Sequence, residues 1–120
     1  MARYEHIKIF QCAYILTIEI YKTTGNFSRE FKYTLGEKLK NASHNLLNII
    51  RKVNSLPDKE KQKYFEEIDF RKENLRIYLR IACDLKLISS SRLGILNESI
   101  EEIGRQLGGW QKYVFKQTSN

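Results

Sequence analysis

Proline occurs once in this chain, at Pro57, and histidine twice, at His6 and His44. So little proline, with only six glycines, excludes a collagen-like or Gly/Pro-rich disordered chain. The histidines are solitary in sequence and read as surface or core-edge residues rather than acid–base groups. The sequence lacks a G-x-x-x-x-G-K-[ST] phosphate loop, an H-E-x-x-H zinc pair and a G-x-S-x-G nucleophile elbow. It also lacks the Glu-x-x-His motif of a di-iron bundle. The acidic neighbours Glu66–Glu67 and Glu101–Glu102 cannot grip one substrate from a single helix, because adjacent helical residues do not face each other. No enzyme activity, catalytic residue, metal or cofactor is expected.

Long apolar runs are missing too. Nothing approaches the roughly 18 residues needed to cross a bilayer. The most apolar N-terminal stretch, Ile7 to Ile20, is interrupted by Lys8, Gln11 and Glu19. The opening Met1-Ala2-Arg3-Tyr4 carries none of the three zones of a secretory signal. Cys12 and Cys83, the only cysteines, form no C-x-x-C pair and stand within periodic segments, so free thiols in a reducing cytoplasm are expected.

What the sequence does have is helical periodicity. Over 120 residues it predicts one domain, 1–120, with an all-α fold. Four helices are expected: about Tyr4–Lys22, Ser28–Asn54, Asp58–Leu87, and a last one starting at the serines 89–91 and reaching about Lys116. Gly25 and Asn26 end the first, Ser28 can cap the second, and Pro57 suits the first turn of the third. Short connections between long helices make neighbours antiparallel, which predicts an up-down-up-down four-helix bundle. Phe31, Leu35, Leu39, Ala42, Leu46, Ile50 and Val53 form one core stripe, and Leu93, Leu96, Ile100, Ile103, Leu107, Trp110 and Val114 another.

Two helices carry more apolar surface than one core uses. On the first, Ile7, Phe10, Tyr14, Ile18 and Tyr21 mark one face, and Ile9, Ala13, Leu16 and Ile20 a second. On the third, Phe70, Ile77 and Ile81 point about 150° away from Phe65, Ile68, Leu75, Leu79 and Ala82. Large apolar patches tend to be covered. A homo-oligomer is therefore expected, with Ile9, Leu16, Ile20, Phe70, Ile77 and Ile81 at its interface. The alternative is a helix wedged deep in a single core.

The net charge of +7 favours a polyanionic partner: nucleic acid, an anionic lipid surface or an acidic protein. Between Ser28 and Asn54 stand Arg29, Lys32, Lys38, Lys40, Arg51 and Lys52 against Glu30 and Glu37. In the third segment Lys72, Arg76 and Arg80 recur every four residues as a candidate phosphate-binding stripe. Glu73 and Asp84 lie at pairing distance along the same helix, so intrahelical ion pairs explain the spacing equally well. Tyr4, Tyr14 and Tyr21 are read as core-edge residues, with base stacking as the alternative. Gly104, Gly108 and Gly109 before Trp110 suggest close backbone approach or a kink.

Three stretches resemble a known family. They are Tyr33-Thr34-Leu35-Gly36-Glu37-Lys38-Leu39, Leu75-Arg76-Ile77-Tyr78-Leu79-Arg80-Ile81-Ala82-Cys83-Asp84-Leu85, and Glu102-Ile103-Gly104-Arg105-Gln106-Leu107-Gly108-Gly109-Trp110. In that order they resemble the second-helix, third-helix and closing motifs of the accessory variability determinant family of diversity-generating retroelements. The four-helix proteins encoded in 23S ribosomal RNA intervening sequences share the architecture, and the Gly109-Trp110 ending favours the retroelement branch. The resemblance implies a pentameric barrel of bundles with a basic surface. It implies binding of RNA, DNA or RNA/DNA hybrid with little sequence preference, and association with the element's reverse transcriptase during mutagenic cDNA synthesis. Arg76 and Arg80 match arginines of the family's third-helix motif and Arg105 that of the closing motif; Lys72 stands as a candidate by spacing alone. The rival reading from another class is a structural protein–protein module of the intervening-sequence type.

Overall fold

Apolar residues at three- and four-residue intervals become helix in the computed structural model, which describes residues 7–119. The long helices are α1 (Lys8–Thr24), α3 (Leu35–Asn54), α5 (Phe65–Asp84) and α6 (Ser90–Thr118). Single turns α2 (Arg29–Lys32) and α4 (Asp58–Lys61) precede α3 and α5, and a 3₁₀ turn (Gln62–Tyr64) joins α4 to α5. There is no strand among the described residues. Tyr4 and His6 lie outside the described residues.

The arrangement is a square. Helix α1 packs on α3, α3 on α5, α5 on α6, and α6 closes back on α1. A 20-residue helix such as α3 or α5 is about 30 Å long, and the short turns at Ser55–Pro57 and Leu85–Ser89 cannot cross that distance, so successive helices run antiparallel. One cluster of buried side chains runs through the middle from Ile9 to Val114, with Leu39, Leu46, Ile50, Ile68, Leu75, Leu79, Leu96, Ile100 and Ile103 fully enclosed. The expected core stripes hold, except that Phe31, Leu93 and Trp110 are half-buried at its edge. Trp110 meets Phe65 edge to face at 5.3 Å, fastening the last turns of α6 to the start of α5.

The expected helix Ser28–Asn54 is in two pieces, broken at Tyr33–Thr34. Thr34 is held off the helical region, and its hydroxyl donates to the carbonyl of Glu30 at 2.9 Å. The break turns Phe27 into the core. It also brings the chain so close to itself that a Cβ on Gly36 would stand 3.3 Å from the Phe31 carbonyl oxygen and 3.6 Å from Thr24 Cβ. Ser28 precedes α2 in extended conformation, but its side chain makes no capping bond. Ser89 does cap α6: its hydroxyl accepts from the backbone N–H of Arg92 at 3.0 Å.

The third helix ends at Asp84 rather than Leu87 because Lys86 adopts a left-handed φ of 64°. The Lys86 N–H then bonds to the Cys83 carbonyl and the Leu87 N–H to that of Ala82, both at 2.9 Å, the bonding of a Schellman terminus. Glycine normally takes that position, and a side chain there costs about 1 kcal/mol. Lys86→Gly is therefore expected to raise the melting temperature by about 3–5 °C in a calorimetric scan.

Of the glycines before Trp110, only Gly104 is approached within the chain. A Cβ there would lie 3.1 Å from Lys72 Nζ, whereas Gly108 and Gly109 face open space and α6 runs on unbroken through both.

Candidate nucleic-acid interface

The basic residues fall into two populations, those held by carboxylates and those left open. Helix α5 decides the first. It carries Asp69, Lys72, Glu73, Arg76 and Arg80, most of them paired along the helix, and Arg76 also reaches an acid of α6. Lys72 is 8% exposed and its ammonium sits between Asp69 at 3.0 Å and Glu73 at 3.2 Å, beneath Gly104. Proposed from spacing as a phosphate contact, Lys72 is instead a buried structural cation: its four-residue interval from Arg76 turns it inward. Arg76 forks onto Glu73 at 3.0 and 3.3 Å and reaches Glu101 of α6 at 3.2 Å. Burial pushes the Glu73 carboxyl up, but its hydrogen bonds from Arg76 and Lys72 outweigh this and hold it below the usual carboxylate range. The bond from Glu73 likewise strengthens the hold of Arg76 on its proton.

Arg80 pairs with Asp84 at 3.3 Å, both largely exposed. Arg105 meets Glu98 at 2.8 Å and Glu102 at 2.9 Å. Exposed pairs contribute little to stability, so these two arginines can exchange a carboxylate for another anion. Arg76 would have to give up both its fork on Glu73 and its reach to Glu101 to do so.

The open population includes Lys59, Lys86, Lys112 and Lys116, spread over α4, the α5–α6 turn and α6, and a group on α2 and α3. Arg29, Lys32 and Lys38 make no ion pair among the described residues, and Lys52 lies 4.7 Å over the ring of Tyr64. This side carries few acids, so its cations have no partner to spend charge on.

A feature that charge counting passes over borders these cations. Lys38, Asn41, Asn45, Asn48 and Lys52 follow one another at three- and four-residue steps and form a single line along α3. Across a shallow trough, α5 presents Arg71, Asn74 and Tyr78. Two depressions of about 230 Å³ share Asn45 and Arg71 and so form one continuous trough. Each is smaller than the roughly 300 Å³ at which small-molecule pockets begin. The side-chain amides of Asn41, Asn45 and Asn74 make no hydrogen bond among the described residues. Asparagine inside a helix costs up to about 0.7 kcal/mol relative to alanine because its amide competes for the backbone. The signal in the sequence was the spacing 41, 45, 48, which neither hydropathy nor charge registers.

The apolar surfaces need one correction. Ile9, Leu16 and Ile20, expected at an oligomer interface, are 3%, 0% and 0% exposed and belong to the core of the single chain. Two apolar faces on α1 left the inward one undecided, and packing against α3 and α6 selects theirs. The outward face is the other one, with Tyr14, Ile15, Ile18 and Tyr21 exposed. Tyr14 stacks on Phe10, and Tyr21 hydrogen-bonds through its hydroxyl to His44 Nε2 at 2.8 Å. On α5, Phe70, Ile77 and Ile81 do lie outside, 60%, 57% and 40% exposed, as a ridge opposite the core. Both cysteines are free thiols, and burial, the largest influence, raises that of Cys12.

No helix of the described residues is long and apolar enough to cross a membrane. Among those residues no group of three or more His, Cys, Asp or Glu side chains is placed to hold a metal ion. No curated protein matches the chain. The pattern of the family described as bAvd-like does match, over residues 8–114, from the first residue of α1 to the last buried residue of α6. The three motifs noted in the sequence all fall inside that span, and the four long helices account for its length: the chain belongs to the bAvd-like family.

Proposed function

We propose that this chain is the non-catalytic accessory protein of a diversity-generating retroelement. It acts as a cytoplasmic homo-oligomer, a pentamer as the family resemblance implies. It binds RNA, DNA or RNA/DNA hybrid with little sequence preference and associates with the reverse transcriptase to support mutagenic cDNA synthesis. The observation that carries this reading is the family match over residues 8–114 in a chain of net charge +7, in which Arg29, Lys32 and Lys38 of α2 and α3 make no ion pair among the described residues.

The mechanism is electrostatic. Assembly multiplies the charge of one chain into a strong positive field. Its lysines and arginines displace the counterions condensed on the phosphates, and affinity then falls steeply as salt rises. A gel-shift with duplex RNA at two salt concentrations tests it. Binding is expected to weaken by about tenfold or more across a severalfold rise in salt, for unrelated sequences alike. Binding that ignored ionic strength would exclude this mechanism.

The second reading, a structural protein–protein module like those of ribosomal RNA intervening sequences, draws support from one observation. Arg76, Arg80 and Arg105, the arginines that match family motifs, all engage carboxylates. No shift of duplex RNA at the lower salt would favour it.

A further inference from the structure

The trough between α3 and α5 has a composition that phosphate binding alone does not explain. Lysine and arginine suffice to neutralise a nucleic-acid backbone. Here cations stand at the ends and on one wall: Lys38 and Lys52 close the α3 line, and opposite them Arg71 pairs with Glu67 at 3.4 Å, a partly exposed pair that can exchange its carboxylate for a phosphate. Neutral amides fill the middle. An amide offers a donor and an acceptor at once. The three unpartnered amides face solvent from otherwise regular helices, where alanine or glutamate is the better helix former. Their natural counterpart is an uncharged group that both donates and accepts.

Geometry narrows the choice. Lys38 to Lys52 spans about 21 Å of helix axis, enough to follow a run of several stacked base pairs. Because α3 lies flank to flank with α5, the surface is two helices wide, about 20 Å, and cannot enter the 12 Å major groove of B-form DNA as a lone recognition helix does. It can rest on the wide, shallow minor groove of an A-form helix. That groove displays 2′-hydroxyls, each a donor and an acceptor, between two rows of phosphates. We infer that the asparagine-lined trough between α3 and α5 is a docking surface for A-form duplex containing RNA, with Asn41, Asn45 and Asn74 meeting 2′-hydroxyls and Lys38, Lys52 and Arg71 meeting the flanking phosphates. This rests on the reading of the chain as a nucleic-acid-binding protein and adds to it a preference for ribose over deoxyribose.

The experiment is fluorescence anisotropy of the full chain with one sequence made as RNA duplex, RNA/DNA hybrid and DNA duplex, with a salt titration of each. The wild type is expected to hold the RNA duplex about tenfold more tightly than the DNA duplex, with the hybrid between them. The triple variant Asn41→Ala, Asn45→Ala, Asn74→Ala is expected to bring RNA down to the DNA level while leaving the salt slope unchanged. Lys38→Ala with Lys52→Ala is expected to weaken both duplexes alike and to lower the salt slope by about two. All five positions lie on helical surface, so the variants should melt no lower than the wild type. If the triple variant keeps the wild-type preference, or if the wild type binds RNA and DNA duplex equally, the inference fails while nucleic-acid binding stands. If the triple variant changes only the mass in light scattering, the trough is a contact between copies and the inference fails. If neither duplex binds at low salt, the underlying reading fails with it.

Discussion

Leu16→Ala is expected to destabilise the chain by about 2–5 kcal/mol and to lower its melting temperature by about 8–20 °C. Leu16 is fully buried on the face of α1 that packs between α3 and α6. Its truncation removes apolar contact and leaves a cavity that helices on two sides cannot readily close. Denaturant titration would show a lower midpoint with an unchanged slope. The same substitution discriminates core from interface. A variant that melted with the wild type and merely scattered as a smaller particle would return Leu16 to an interface between copies.

The paired variant Phe70→Asp with Ile77→Asp should do the reverse. Both side chains stand on the outer ridge of α5, so the isolated bundle loses little by their replacement. If the ridge is where copies meet, each contact loses the burial of two large apolar side chains, about 3–6 kcal/mol, and gains two desolvated charges besides. That weakens association by a hundredfold or more. Light scattering at micromolar concentration should then read a single chain, while circular dichroism retains the helical signal. An unchanged assembly mass would move the contact elsewhere, with the Tyr14–Ile15–Ile18 face of α1 the next surface to test.

Helices α3 and α6 were legible because each has one dominant apolar stripe. Leu35, Leu39, Leu46 and Val53, or Leu96, Ile100 and Ile103, can only face inward. Helix α1 defeats that logic. It is apolar on two sides, and the choice between Ile9–Leu16–Ile20 and Tyr14–Ile18–Tyr21 depends on the shapes of α3 and α6, which lie far away in sequence. The break at Thr34 was hidden for a similar reason. No proline marks it, and it exists to seat Phe27 and to let Gly36 pass beneath Phe31.

The site was half legible. The excess of base over acid between Ser28 and Asn54 pointed to the open cations, since a segment poor in acid cannot pair them. The stripe Lys72–Arg76–Arg80 stayed ambiguous because a four-residue repeat is equally the spacing of an ion-pair ladder; Asp69, Glu73 and Asp84 of the same helix engage all three bases, and Glu101 of α6 adds a second partner to Arg76. The asparagines escaped notice because neutral polar residues add nothing to net charge or hydropathy.

The square closes at one place only. Among the described residues, the other main contacts between long helices join helices that follow each other in the chain, whereas α1 meets α6 from opposite ends of the sequence. Arg92 clasps that seam, reaching Glu19 at 2.6 Å and Thr23 at 3.1 Å. A folding chain can thus zip α1 to α3, α3 to α5 and α5 to α6 through short loops, at little entropy for each, before the ends meet. The seam between α1 and α6 closes the longest loop of the fold, and the core that the other three contacts leave open along one side is complete only when it is made.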